Sequence, residues 1–182
     1  MTATSDLKQL AQNFEGKLKK IKICLFDVDG ILTDGKIYWA GEEVGFTRSY
    51  FIQDGYGMKL LQRAGFKVGI ITAGNSKSVE HRVDQLGLDF LYMGNEDKTG
   101  ALDHVLKKYN CTDEEFLYMG DDLFDIPLLK RAGFAATVQE SSDEVKENVD
   151  YITKRGSGEG CVREVIDILR YAQGINWESL QK

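Results

Sequence analysis

The chain has 182 residues, 42% of them hydrophobic and 29% charged, the make-up of an ordinary one-domain globule with a sizeable core. A net charge of −6 and a pI near 5.0 exclude a nucleic-acid-binding surface as its main business, and no apolar run approaches the roughly 20 residues of a membrane span. Cys24, Cys111 and Cys161 form no CxxC pair, and MTATSDLKQL has no basic start before an apolar block; together they predict free thiols, no secretory signal and a cytoplasmic protein.

In chain order, Leu7, Leu10, Ala11, Phe14 and Leu18 recur at helical spacing and predict an amphipathic helix within residues 1–20. IKICLF is a short buried-type strand. KIYWAGEEVGFTRSYF, residues 36–51, predicts a β-hairpin around Gly41 and Glu42. GMKLLQRAG is a helix stopped by Gly65, KVGIIT a strand, and SKSVEHRVDQLG a helix. The alternation continues with DFLYM, KTGALDHVLKKY, EFLYMG, DIPLLKRAG, FAATV, SSDEVKEN and YIT, and closes on the helix CVREVIDILRYAQG before a tail at residues 175–182. The fold class is therefore α/β: one doubly wound, mostly parallel sheet over residues 1–182 with helices on both faces, a hairpin inserted after the first strand and no cap domain.

In such folds ligands bind beyond the carboxyl ends of the strands, so the residues that follow each β-run carry the functional reading. The first run, CLFDVDGILTDG, leads straight into Asp27, Asp29 and Asp34, three carboxylates within eight residues. Like charges this close require a cation among them, or a retained proton. After KVGII come Thr72 and Gly74; after EFLYM come Gly120, Asp121 and Asp122; and Lys98 opens the helix after DFLYMGNED. Hard oxygen ligands gathered from separate loops suit Mg²⁺, with Asp27 and Asp121 as carboxylate ligands and a backbone carbonyl near Asp29 as a third. A free carboxylate beside Mg²⁺ can attack phosphorus to form an aspartyl-phosphate, its approach to the anion eased by Mg²⁺ and Lys98. Thr72 and the backbone N–H groups after it hold phosphate oxygens, and Asp29 serves as acid and then base. The spacing is wrong for an EF-hand, because Gly30 falls fourth in its loop.

The succession D-x-D-G, Thr, Lys and G-D-D, each at a strand end, resembles the haloacid dehalogenase-like (HAD) phosphohydrolases over residues 21–174. LFDVDGILTDGKIYW, DGYGMKLL, MGDDLFDIPLL, DYIT and VREVIDILRYAQG resemble in particular the capless 3-deoxy-D-manno-octulosonate 8-phosphate (KDO 8-phosphate) phosphatases; relatives acting on neuraminate-type 9-phosphates share the style. The resemblance implies Asp27 as nucleophile, Asp29 as acid/base and carbonyl ligand, Thr72 and Lys98 as phosphate-binding groups, Asp121 as the last metal ligand, and Asp122 and Asp125 as supporting groups. It further implies a sugar-acid phosphate as substrate, Mg²⁺ as cofactor, and a homotetramer assembled through the hairpin, for which Tyr38 and Trp39 suit the contact.

The same resemblance places Phe51, Ile52, Gln53, Asp54, Gly55, Lys59, Gly74 and Arg82 along the substrate, with Asp29 and Lys98. Four of the positions where the family uses Arg hold Gln53, Lys59, Gly74 and Glu159 here, which predicts weaker carboxylate recognition. Asp34 is expected to start a turn with Gly35, His81 and His104 to be ordinary helix residues, and Cys24 to be a small core residue. The rivals are a phospho-accepting receiver domain, a haloacid dehalogenase and a non-enzymatic scaffold. The first needs its acidic pair before the acceptor, the second needs neither Asp29 nor Asp121, and the third leaves intact motifs without a purpose.

Overall fold

The structure is a computed structural model, and it describes residues 3–176 and 178–180. Helices α1 (Ala3–Asn13) and α2 (Glu15–Leu18) lead into the central strand β1 (Ile23–Phe26). The hairpin follows as two short antiparallel strands, β2 (Tyr38–Trp39) and β3 (Phe46–Thr47). Then come α3 (Ile52–Arg63), β4 (Lys67–Ile71), α4 (Lys77–Leu86), β5 (Phe90–Tyr92), α5 (Thr99–Tyr109) and β6 (Phe116–Met119). The chain ends with α6 (Ile126–Arg131), β7 (Phe134–Thr137), α7 (Asp143–Lys146), β8 (Tyr151–Ile152) and α8 (Cys161–Ala172).

Six strands form one sheet in the order β5-β4-β1-β6-β7-β8, every pair parallel. A parallel sheet must be covered on both faces, and the burial follows from the two-residue period of a strand. Cys24 and Phe26 pack into one core with Val165 and Leu169 of α8, while Ile23 and Leu25 pack into the other with Leu102 and Val105 of α5. The apolar stripe read in residues 1–20 closes the first core, where Phe14 meets Phe134 edge-on with ring centroids 5.2 Å apart.

After β1 the chain crosses to β4 and β5 on one side, then returns to β6, β7 and β8 on the other. β1 is thus the switch point, and its carboxyl end is where a crevice opens. The ladders run one residue past the strands: Asp27 N–H donates to Met119 O at 2.9 Å, and Thr72 N–H donates to Tyr92 O at 3.0 Å. These bonds set the two side chains at one level on the same edge.

The first turn of α3 differs from expectation. The helix begins at Ile52, five residues before the Gly57 that opens the helical pattern in the sequence, so Gln53, Asp54 and Gly55 belong to its first turn. Asp54 Oδ1 accepts from the backbone N–H of Arg163 at 2.7 Å and ties this turn to α8. Lys59 lies in the second half of α3, not near its start.

Candidate active site

The carboxyl ends of β1, β4 and β6 bring Asp27, Thr72 and Asp121 together, and the start of α5 adds Lys98. Asp27, Thr72 and Lys98 are nearly inaccessible to solvent. The Lys98 ammonium stands 3.0 Å from Asp27 Oδ1 and 2.6 Å from Asp125 Oδ1, with the Tyr118 hydroxyl at 3.2 Å and the Phe124 ring centroid at 4.6 Å. A buried ammonium is stable only when answered this fully.

Asp125 is the organising group, beyond the supporting part expected of it. Its Oδ1 accepts from Lys98 and, at 2.5 Å, from Tyr118; its Oδ2 accepts from the backbone N–H groups of Asp121 and Asp122 at 3.0 and 3.2 Å. With both oxygens satisfied, it fixes the GDD turn and aims Lys98 at Asp27. Asp122 faces outward and caps the short helical turn at Leu123 with a 2.7 Å bond.

Asp27, Asp121 and Asp125 offer oxygens that all lie within 4.8 Å of one another. Asp121 Oδ1 is buried with no hydrogen-bond donor, and Asp27 Oδ1 is buried against the Lys98 ammonium at 3.0 Å. Burial is the main cause pushing the Asp27 carboxyl up to about 7, and Asp125 adds to it; burial and then Asp27 push Asp121 up to about 8. Three carboxylates gathered within 4.8 Å around one ammonium leave negative charge in excess, an arrangement that a hard divalent cation completes. Asp27 and Asp121 have oxygens free to hold Mg²⁺, whereas those of Asp125 are taken. Gly30 makes room: its φ is +87°, and a Cβ there would fall 2.0 Å from Asp121 Oδ2.

On the phosphate side, the Thr72 hydroxyl accepts from the Gly74 N–H at 3.3 Å, which curls the loop after β4 into the rim. A cavity of about 350 Å³ lies against Thr72 and Lys98, walled in part by Asn95 and His104, neither of which stood out in the sequence.

Asp29 is not open as expected. Arg48, just past β3, clasps its carboxylate with both prongs: Nε donates to Oδ1 at 2.6 Å and Nη2 to Oδ2 at 2.9 Å. A lone Arg in a hairpin gives no sequence signal for this contact. Asp34 is the expected turn residue, accepting from Lys36 N–H at 3.1 Å and pairing with the Lys36 ammonium, which holds its carboxyl below the usual range.

The outlying substrate positions are scattered. Phe51 caps α3, and Ile52 and Gln53 are exposed at its start. Asp54 faces α8, with Oδ2 buried and unpaired. Arg82 turns toward α3, its guanidinium 5.3 Å from the Tyr50 ring centroid and beside Gly55, where a Cβ would meet Nη2 at 2.4 Å. Lys59 is half-buried. Arg155, which the sequence reading passed over, places Nη1 3.4 Å from Gln53 Oε1. A guanidinium group thus does reach the site, supplied by Arg48 on Asp29 from a position that the motifs do not mark.

Comparison with known proteins follows the same lines. Residues 82–166 match the haloacid dehalogenase-like hydrolase family. The chain is 37% identical over 160 residues to the 3-deoxy-D-manno-octulosonate 8-phosphate phosphatase KdsC of Escherichia coli K12, covering 87% of this chain and 84% of that one. It superposes with a TM-score of 0.85, at 36% identity, on the Moraxella catarrhalis phosphatase of that name in complex with magnesium, phosphate and KDO, covering 90% of this chain and 93% of the other. The Yersinia pestis phosphatase superposes with the same TM-score at 32% identity, covering 90% and 88%.

Proposed function

The chain belongs to the 3-deoxy-D-manno-octulosonate 8-phosphate phosphatases of the haloacid dehalogenase-like hydrolases, and on that premise we propose how its own residues carry the reaction. It is a magnesium-dependent phosphoric monoester hydrolase that converts KDO 8-phosphate to KDO and phosphate. The observation that carries this reading is the gathering of the buried Asp27 and Asp121 carboxylates within 4.8 Å of each other beside the Lys98 ammonium, with Asp121 Oδ1 lacking a donor.

In the proposed mechanism, Asp27 attacks phosphorus; the bond to Asp27 forms as the bond to the sugar oxygen breaks, and Asp29 delivers a proton to that oxygen. Water then attacks the aspartyl-phosphate, Asp29 takes its proton, and Asp27 is released with inorganic phosphate. Thr72, the Gly74 N–H and Lys98 hold the phosphate oxygens throughout. Asp27, Asp121 and the Asp29 carbonyl would hold Mg²⁺, which when bound would supply charge offsetting the repulsion between nucleophile and phosphate. Asp125 and Tyr118 keep Lys98 in place.

The hairpin leaves Tyr38, Trp39, Val44 and Phe46 about half exposed, which supports assembly into a homotetramer through this element. We also assign the protein to the cytoplasm, in keeping with its free cysteines. A second reading is the same chemistry on a neuraminate-type 9-phosphate or another sugar phosphate, since Gln53, Gly74 and Glu159 stand where the family reads KDO with Arg.

The test is phosphate release across KDO 8-phosphate, neuraminate-type 9-phosphates and neutral hexose phosphates, with Mg²⁺ and with EDTA. Asp27→Asn should abolish release with the fold intact. Wild-type turnover in that variant, or full activity in EDTA, sinks the mechanism; preference for another acid selects the second reading.

A further inference from the structure

We propose that Arg48 is a substrate-binding residue of this site and that its guanidinium grips the phosphate of the bound ester, an inference that rests on the phosphatase reading above.

Arg48 is an unusual cation for a hairpin. Its side chain is only 7% exposed, although it sits one residue beyond a strand whose neighbours face solvent. Burying a guanidinium is costly unless all its donors are answered. Nε and Nη2 are answered by the Asp29 carboxylate. Nη1 is buried and has no partner. One planar fork is therefore half used, with its remaining N–H groups held out of water and lacking an acceptor.

The surroundings indicate which acceptor fits. A Cβ built on Gly74 would lie 3.5 Å from Arg48 Nη2, 3.3 Å from Asp29 Oδ2 and 3.7 Å from Thr72 Oγ1. The Arg48 fork thus reaches the same gap as the phosphate-holding loop after β4, and Gly74 leaves that gap open. Guanidinium groups match phosphate oxygens two by two, and such charge-assisted pairs are the strong ones. The anion hydrogen-bonded to Arg48 is the Asp29 carboxylate. A phosphate dianion entering the gap meets Nη2 and competes with Asp29 for it. In the bound state Arg48 bridges Asp29 and the phosphate, and the Asp29 oxygen released from Nη2 faces the sugar oxygen. Arg48 thereby couples the hairpin to the reacting group.

The carboxylate of the sugar acid is the other anion of the substrate, and it lies at the opposite end from the phosphate, so the two assignments separate experimentally. Orthophosphate binding to the Mg²⁺-loaded enzyme would be measured by calorimetry for wild type, Arg48→Gln and Arg48→Lys. Loss of one charged, buried contact should weaken orthophosphate binding about ten- to a hundred-fold in Arg48→Gln, and less in Arg48→Lys, which keeps the charge but not the fork. KM should rise in parallel for KDO 8-phosphate and for a neutral hexose phosphate. Circular dichroism and melting establish that each variant is folded, and Arg48→Lys carries the test if Arg48→Gln is not. Unchanged orthophosphate affinity in a folded variant overturns the assignment, as does a loss confined to the carboxylate-bearing substrate. If Asp27→Asn still releases phosphate, it is the proposed mechanism that falls, and the orthophosphate measurement still decides on Arg48.

Discussion

Asp121→Asn should make the metal-free protein more stable while removing its response to magnesium. At about pH 9, where both are ionised, Asp27 and Asp121 at the 4.8 Å bound on their separation repel by roughly 3 kcal/mol at an effective dielectric constant of about 20. The Lys98 ammonium, 3.0 Å from Asp27, offsets part of that. Deleting one charge should therefore raise stability in EDTA by about 1–3 kcal/mol. For a domain of this size that is a rise of about 2–4 °C in melting temperature per kcal/mol. Wild type, by contrast, should gain about 2.7 kcal/mol when Mg²⁺ is present at a hundred times its dissociation constant, and the variant should lose most of that gain. Urea unfolding in EDTA and in Mg²⁺ gives all four values. A variant no more stable than wild type in EDTA, with the magnesium gain intact, would refute the view that these two carboxylates await a cation.

Further tests use the same assays. Burial holds the Asp54, Asp27 and Asp121 carboxyls up at about 6, 7 and 8. A carboxyl raised in the fold binds its proton more tightly folded than unfolded, so stability in EDTA should fall as pH rises from about 4 to about 8. Asp54→Asn should flatten the lower part of that decline; an unchanged slope below pH 6 would count against the unpaired Asp54 oxygen as its source. Gly30→Ala puts a methyl 2.0 Å from Asp121 Oδ2 at a φ of +87°. It should cost about 1–2 kcal/mol in backbone strain and abolish the magnesium gain, and retention of that gain would show that the loop can yield. Light scattering should report about four times 20.5 kDa, falling in Trp39→Asp, whose side chain is 58% exposed on the hairpin; a monomer mass for wild type removes the hairpin assembly.

Much of the fold was legible because its signals are local. IKICLF and EFLYMG are short apolar runs with no amphipathic stripe, and both are buried on two faces beside each other in the sheet. Ser76 and Gly87 mark α4 at both ends, Ser76 accepting from Ser78 N–H and Gly87 closing the helix at φ +64°. The helical pattern of GMKLLQRAG starts at Gly57, yet α3 begins at Ile52; the bond from Arg163 N–H to Asp54, 109 residues away in the chain, ties the added turn down. Intrinsic propensity is a weak prior, and a tertiary contact overrode it.

The sequence by itself determined the order of Asp27, Asp29, Thr72, Lys98 and Asp121 at strand ends, and with it the reaction class, because a parallel sheet must deliver such residues to one rim. Only the tertiary structure decided how the charges there are answered. It saturated Asp125 with four donors, left Asp121 with an orphaned oxygen beside the Lys98-paired Asp27, and brought Arg48 from the hairpin onto Asp29. Pairing of buried charges depends on distances across separate elements, and those distances exist only after the helices have packed on both faces of the sheet.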